Sequence, residues 1–569
     1  MSWFPAPGIA RRVRLGWVDL LVFAAVLLLL LAVLRLGGRM AAPMHTLGTI
    51  SLSPSQLPLY AGESLLRIFI AFLASLIFAV VYGYLAAKSP WAGRVLVPLL
   101  DILQSVPVLG FLSATLAFFA GLFPGSSLGL EIAAVFAIFT AQAWNMTFAF
   151  YHTLVTLPRD LEEASHVYRL GRWSRLWYLE LPSSAITLVL NSMMSFGGSW
   201  FFLAASETVT FSGRQVMLPG IGSYMALAEQ RGDVPAMIAA VAIMILLIVL
   251  VDQLFWRPII AWSQRFKLEQ TPSADGPTSF VLTILRRSVL VEGLGRLLHP
   301  AWEAIWRRFS RPMVRETGQA GASLVWRGVF TLLGLLVLGL ALRTGWHLLR
   351  GIALAQVLHV GWLGILTWLR VTVAVLLGAI WTVPVGVAIG LSPRVGRWAQ
   401  PLAQIAASFP ANMLFPIVVA WLLRIHAGLD IGAIPLMMLG TQWYILFNVI
   451  AGSMAIPQDL KEAGRIFGLR GALRWRRLIL PAIFPSLVTG GVTAAGGAWN
   501  ASIVAEVASW QHHTLVAHGL GAYITLATAQ GQGAHVLLGI AVMSLLVIAM
   551  NRLVWRPLYR LAETRYHLD

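Results

Sequence analysis

The chain has 569 residues, 58% of them hydrophobic and only 11% charged, with a mean hydropathy of +0.78. Soluble domains carry about a quarter charged residues, so this composition excludes a soluble globular protein and reads as a polytopic membrane protein. The net charge of +18 suggests nucleic acid only until it is mapped onto loops, where it sorts by side, and the absence of cysteine removes disulfides, thiolate metal sites and cysteine nucleophiles.

Taken in chain order, Arg11, Arg12 and Arg14 precede a long apolar run that lacks a small-residue cleavage site, which reads as a retained first helix. Spans are expected at about 17–36, 63–87, 95–122, 128–153, 183–206 and 234–256. A second set is expected at about 328–349, 366–391, 398–424, 431–455, 482–508 and 535–556. With both termini cytoplasmic, this arrangement puts the basic loops Arg159 to Arg175, Arg257 to Arg327 and Lys461 to Arg477 inside, while the outer loops carry fewer basic residues, such as Arg214 and Arg231. The 23 tryptophans suit interfacial anchoring and the 17 methionines apolar packing.

Between the two sets lies a polar stretch whose segment Thr271 to Pro277 has linker composition. The expected organisation is therefore 1–260 for the first six-helix repeat, 261–325 for a cytoplasmic linker and 326–569 for the second repeat. Within the linker Leu294, Leu297, Leu298, Trp302, Ile305, Trp306 and Phe309 recur at helical spacing beside Arg296, Arg307 and Arg308. Such a helix lies either on the inner membrane surface or against its own chain.

The two sets are a repeat. A shift of 303 aligns Arg67 with Arg370, Gly83 with Gly386, Pro98 with Pro401, Ser105 with Ser408 and Pro107 with Pro410. Downstream a shift of 299 aligns Trp144 with Trp443, Asp160 with Asp459, Glu163-Ala164 with Glu462-Ala463 and Trp200 with Trp499. It continues through Glu207 and Glu506, then Gly220-x-Gly222 and Gly519-x-Gly521. Six spans separate equivalent points, so the copies are parallel and imply a pseudo-twofold axis along the membrane normal. The fold class expected is an all-α polytopic membrane protein with about 12 transmembrane helices in two such repeats.

Between the fourth and fifth spans each copy carries one design of loop. The first runs Leu157-Pro158-Arg159-Asp160-Leu161-Glu162-Glu163-Ala164-Ser165 to Leu181-Pro182, and the second Ile456-Pro457-Gln458-Asp459-Leu460-Lys461-Glu462-Ala463-Gly464 to Leu480-Pro481. Proline followed by carboxylates is a good helix start, because negative charge faces the positive end of the dipole. These residues resemble the EAA loop of binding-protein-dependent ATP-binding-cassette (ABC) importer permeases. The second copy matches at Glu462, Ala463, Gly468 and Pro481; the first keeps Glu163, Ala164 and Pro182 but has Arg169 where the glycine belongs and Gly171 two residues later. The two loops are therefore expected to differ in detail and to dock unequally.

The resemblance implies a type I importer transmembrane domain whose two coupling helices fit two copies of a separate ATPase subunit. It further implies a bacterial inner-membrane location and an extracytoplasmic substrate-binding protein, with ATP and Mg on the ATPases and no cofactor in this chain. Asp160, Glu163, Ala164, Arg169, Gly171, Asp459, Glu462, Ala463 and Gly468 are the coupling candidates. The chain itself is not an ATPase, since its three lysines, Lys88, Lys267 and Lys461, never follow glycine and no Gly-Lys-Ser/Thr phosphate loop exists.

Polar groups in spans are costly and are pathway candidates. Asn145, Asn191, Asn448 and Asn500 offer hydrogen bonds without net charge, which suits a weak transit site for a small solute. Trp200 and Trp499 either face each other across the axis and narrow the path or fill the bundle. Glu207 and Glu506 lie near the outer span ends, where a structural or gating role is favoured over substrate contact. His512 and His513 have no third ligand at metal spacing, so no metal site is expected. The Ser-x-Pro segments Ser105 to Pro107 and Ser408 to Pro410 look like the nitrate, sulfonate and taurine branch, which implies a small anion such as these or bicarbonate as substrate. Membrane lipid, but no nucleic acid, completes the expected partners. An importer permease for another small solute and an ion-gradient-driven secondary transporter remain as alternatives; the latter needs intramembrane charges that are scarce here.

Overall fold

In the computed structural model of this chain the described residues are 17–40, 50–105, 107–211, 214–266, 279–288, 349–510 and 513–565, with isolated positions at 293, 300, 339–340 and 343–347. The N-terminal arginines, the amphipathic stretch 294–309, His512 and most of the expected span 328–349 lie outside them.

The fold is a helical bundle in which nine helices among the described residues are long and apolar enough to cross a membrane, or ten if one bent pair counts as a span. The first half contains α1 (Trp17–Met40), α2 (Leu57–Lys88), α3 (Pro90–Ser105), α4 (Val108–Leu122) and α5 (Leu128–Val155). It continues with α6 (Arg159–Val167), α7 (Arg172–Ser206), the hairpin β1 (Thr208–Phe211) and β2 (Arg214–Met217), α8 (Ile221–Arg231) and α9 (Val234–Phe266). A short helix α10 (Phe280–Arg287) follows, and Ser288 just beyond it donates a 2.8 Å hydrogen bond to Asp19 on α1.

The second half repeats the plan. It contains α11 (Leu354–Leu391), α12 (Pro393–Ser408), α13 (Phe415–Arg424), α14 (Leu429–Met454), α15 (Gln458–Ile466) and α16 (Gly471–Ala505). The hairpin β3 (Val507–Trp510) and β4 (His513–Val516), α17 (Leu520–Ala529) and α18 (Gly533–Ala562) complete it. The duplication extends to irregularities of the backbone. π-Helical turns interrupt α7 at Leu176–Glu180 and α9 at Asp252–Trp256, and the same turns recur in α16 at Trp475–Ile479 and α18 at Asn551–Trp555, each displaced by 299 residues. A π turn costs hydrogen-bond geometry and is seldom retained by accident.

Two expectations change. The third span of each half is not one straight helix: α3 and α4 meet at Pro107, and α12 and α13 are bent by 78° around Pro410. Proline removes an amide donor and disfavours helix in the residue before it, so Ser-x-Pro is a break in a span. The expected span 482–508 also ends early, at Ala505, because the next residues pair as a β hairpin, Val507 opposite Val516 and Trp510 opposite His513. The first half forms the matching hairpin, Thr208 opposite Met217.

Candidate functional site

Three features are built from residues that the repeat places in parallel: a pair of exposed short helices at one end of the bundle, cavities between the halves, and a buried ionic clasp at the hairpin end.

The short helices α6 and α15 begin after Pro158 and Pro457 and close with the same backbone. Leu170 N donates to Ser165 O at 3.0 Å in one and Leu469 N to Gly464 O at 2.9 Å in the other. Arg169 N to His166 O and Gly468 N to Arg465 O make the inner bond of each turn, both at about 3.0 Å. This is the Schellman closure, which needs one left-handed residue. Gly468 supplies it with φ +66° and Arg169 supplies it with φ +51°. Gly171 does not replace Arg169 in this role, since its φ is −64°. The closing turn therefore follows one backbone path in both loops, and the first bears the cost of a non-glycine left-handed residue, about 1–2 kcal/mol; the loops part just beyond it, where Gly471 is left-handed at φ +49° and its counterpart Arg172 is not.

The third position of the motif is small for a packing reason. Ser165 and Gly464 are buried, and a Cβ on Gly464 would approach Leu478 Cδ2 to 2.9 Å. Asp160, Glu163, Asp459 and Glu462 are exposed, and Ala164 and Ala463 partly so. Sequence reading missed the apolar tips. Val167 and Tyr168 are 80% and 78% exposed, and Ile466 and Phe467 are 82% and 78% exposed, at equivalent positions. Such neighbouring apolar side chains, offered twice on one end of the molecule, are the features of a docking surface. Their equivalence under the shift of 299 was the available signal.

A cavity of about 360 Å³ lies between the halves and brings together all four predicted asparagines, Asn145, Asn191, Asn448 and Asn500, with Trp499. Among the described residues no Asp, Glu, Lys, Arg or His lines it. Its amides are oriented by neighbours: Asn145 Nδ2 donates to Ser195 Oγ at 3.1 Å, Asn448 Nδ2 to Tyr444 O at 2.8 Å, and Asn500 Oδ1 accepts from Val108 N of the other half at 2.8 Å. Buried indole N–H groups of two lining residues, Trp144 and Trp499, have no protein acceptor. The halves approach closely here because α7 has glycines: a Cβ on Gly197 would come within 2.8 Å of Ser408 Oγ, and one on Gly198 within 2.6 Å of Tyr444 Oη.

The asparagines are not related by the repeat. Asn145 corresponds to Tyr444, Asn191 to Gly490, Asn448 to Ala149 and Asn500 to Phe201. A second cavity of about 300 Å³ lies nearer the hairpins, and the lining passes from Phe202 to Ala204 on α7 and from Asn500 to Val504 on α16 between the two. This second cavity contains Glu229, a residue the sequence reading passed over, whose carboxyl is pushed up to about 7 by burial.

Trp200 is not opposite Trp499. It is 1% exposed and packs edge-on against Phe196 at 5.9 Å within the first-half core, so it fills the bundle. Glu207 and Glu506 likewise line neither cavity. Arg67 donates both Nε and Nη2 to Glu131, at 2.5 and 2.8 Å, and Nη1 to Glu207 at 2.7 Å. Ser64 Oγ and Gly222 N also donate to Glu207, at 2.5 and 2.6 Å. In the second half Arg370 Nη1, Thr367 Oγ1 and Gly521 N converge on Glu506 at 3.0, 2.8 and 2.8 Å, while Arg370 Nη2 reaches Asp430 at 2.7 Å. Each glutamate thus accepts amides from the start of α8 or α17, where a helix presents unpaired N–H groups. The Gly-x-Gly motifs exist to allow this approach, since a Cβ on Gly220 would lie 2.2 Å from Glu207 Cδ and one on Gly519 2.1 Å from Glu506 Oε2. Among the described residues no group of three or more His, Cys, Asp or Glu is placed to hold a metal.

The nitrate import permease protein NrtB of Leptolyngbya laminosa is 28% identical over 185 residues, 32% of this chain and 63% of the relative. The taurine transport system permease protein TauC of Escherichia coli is 25% identical over 183 residues, 32% of this chain and 62% of its own. The bicarbonate transport system permease protein CmpB of Synechococcus elongatus is 27% identical over 146 residues, 26% of this chain and 51% of its own. The chain thus spans less than two thirds of the length of each of these relatives. The family model described as "binding-protein-dependent transport system inner membrane component" matches residues 75–255 and again 374–555, together well over half of the sequence. The chain belongs to this family of multi-pass inner-membrane permeases and carries its unit twice.

Proposed function

We propose that the chain forms the membrane pathway of an ATP-driven importer for a small anion, with 1–260 and 326–569 as its two permease repeats and 261–325 as a cytoplasmic linker. The observation that carries this reading is the pair α6 and α15: two exposed helices of one backbone geometry at one end of the bundle, each ending in an apolar pair. They are the sockets for two separate ATPase subunits, and ATP with Mg resides there. That end faces the cytoplasm, where the excess of arginine belongs, and the hairpin end faces an extracytoplasmic binding protein. Twelve spans, with 328–349 as the seventh, keep the two sockets on one side.

The substrate passes the uncharged cavity lined by Asn145, Asn191, Asn448 and Asn500. Neutral amides and indole N–H groups attract an anion without the deep well that a lysine or arginine would create, and a transit site must bind weakly enough to release. Nitrate, bicarbonate and taurine, the solutes named for the relatives, all carry compact anionic groups. Glu207 and Glu506 act as clasps that fix the hairpins, and neither contacts substrate.

The test is reconstitution with the ATPase and binding protein in liposomes, followed by uptake of labelled nitrate with bicarbonate and taurine as competitors. ATP-dependent uptake that disappears on Glu163→Ala plus Glu462→Ala, together with lost ATPase binding, is the expected result. Uptake driven by a proton or sodium gradient without ATP refutes the reading.

A further inference from the structure

The first short helix is joined to the bundle by charges that its counterpart does not have. On α6, Glu162 pairs with Arg175 of the segment that opens α7. Arg175 Nε lies 3.1 Å from Glu180 Oε1, and the same oxygen lies 2.6 Å from Nζ of Lys88, the last residue of α2. The Glu180 side chain is fully buried, and those of Arg175 and Lys88 are 14% and 28% exposed. Four residues thus connect three segments in series: the exposed helix, the chain returning from it, and the foot of a long span. The Arg175 hydrogen bond holds the Glu162 carboxyl below the ordinary carboxylate range.

The repeat register places Lys461 opposite Glu162, Arg474 opposite Arg175, Ile479 opposite Glu180 and Leu391 opposite Lys88. The acid on the helix has become a base, and the buried pair has become two aliphatic side chains. Among the described residues no ion pair joins α15 to the bundle. Apolar contact is non-directional and allows neighbouring surfaces to slide. A buried charge, by contrast, loses its partner if it slides, at a cost that low dielectric makes large.

We propose that Lys88, Arg175 and Glu180 are positioning residues that make α6 a rigid lever, so that movement of one ATPase is passed to the first half directly while α15 follows through yielding apolar contact. This inference rests on the proposed function and assigns unequal roles to its two sockets. It also explains why an acid–base pair is retained at the foot of one half of a duplicated protein and absent from the other.

The decisive variant is Lys88→Leu combined with Glu180→Ile, which copies the second half and removes both charges together, so that neither of the two is left without its partner. In liposomes containing the full complex, the ATPases remain bound and hydrolyse ATP, but anion uptake per ATP falls at least about fivefold, the size of an ordinary coupling term. Ile479→Leu, the control in the second half, leaves the ratio unchanged. If the double variant does not assemble, Lys88→Gln, which keeps Glu180 paired with Arg175, gives the second measurement and must lower the same ratio. An unchanged ratio in the double variant, or in Lys88→Gln where that is the one measured, overturns the lever. A wild-type chain that retains no ATPase overturns the proposed function and the lever with it; a wild-type chain that transports normally beside an unaltered variant overturns the lever alone.

Discussion

The two halves hold their hairpins by one plan and to different depths. In the first, Arg67 is entirely buried between Glu131 and Glu207, with both carboxylates almost fully enclosed. In the second, Arg370 is 9% exposed and its partner Asp430 is 49% exposed, with His518 Nδ1 also on Asp430 at 3.0 Å. Duplication has kept the donors, the acceptors and the glycines that let them meet, and has allowed the solvent boundary to move. What is shared is therefore geometry, and what diverges is how much each contact is worth.

Replacing Arg67 with Met should be the most damaging change, because it strands two buried carboxylates; about 3–5 kcal/mol is expected. Arg370→Met should cost less, about 2–3 kcal/mol, since it strands one buried carboxylate, Glu506, while water can reach Asp430. Unfolding in detergent, followed by temperature or denaturant, compares the two, and equal losses would break the contrast. At the other end of the molecule the halves should behave alike: Tyr168→Ala and Phe467→Ala are each expected to weaken ATPase binding by roughly tenfold, as for an exposed aromatic anchor. Titration of the purified permease with ATPase would show it, and a one-sided effect would mean that only one helix docks.

Smaller effects sharpen the comparison of the loops. Arg169→Gly should stabilise the chain by about 1 kcal/mol without changing ATPase affinity, because the left-handed turn is already formed. Gly468→Ala should destabilise by a similar amount, and both are read as shifts in thermal unfolding. The smallest expected effect concerns Glu229, whose repeat partner is Thr528. With its carboxyl raised to about 7 by burial, it is neutral below that pH and negative above it, in the cavity that adjoins the proposed anion path on the hairpin side. Uptake should therefore fall about threefold from about pH 6 to 8, a repulsion of modest size, and Glu229→Gln should flatten the profile. A rise with pH in wild type would exclude Glu229 from the path.

The repeat, the short helices and the four asparagines were legible in the sequence because each depends on spacing or on a polar residue inside an apolar run. Other features were hidden because they are properties of three-dimensional neighbours. For Glu207 the sequence favours a structural or gating role over substrate contact, but its partners, Arg67 and the amide of Gly222, are visible only in three dimensions. Pro107 and Pro410 carry the family resemblance in the sequence, while a span drawn straight through each overlooks the bend that proline chemistry imposes. The hairpins after Glu207 and Glu506 are too short and too close to a span end to register as alternating strands. Arg169 shows the converse: a missing glycine suggests a different turn, while the backbone bonds from Leu170 and Arg169 close the same one, and the loops diverge only after it, at Gly471.

The asymmetric lining of the larger cavity has a consequence for how such a protein can change. In an assembly of two identical permease chains every mutation appears twice, so a polar group gained on one wall is gained on the other. Here Asn145 faces the same space as its counterpart Tyr444, and Asn500 has Phe201 as its counterpart. Each wall mutates alone, and on the proposed path selectivity can be tuned in single steps that a symmetric pair has no means of taking.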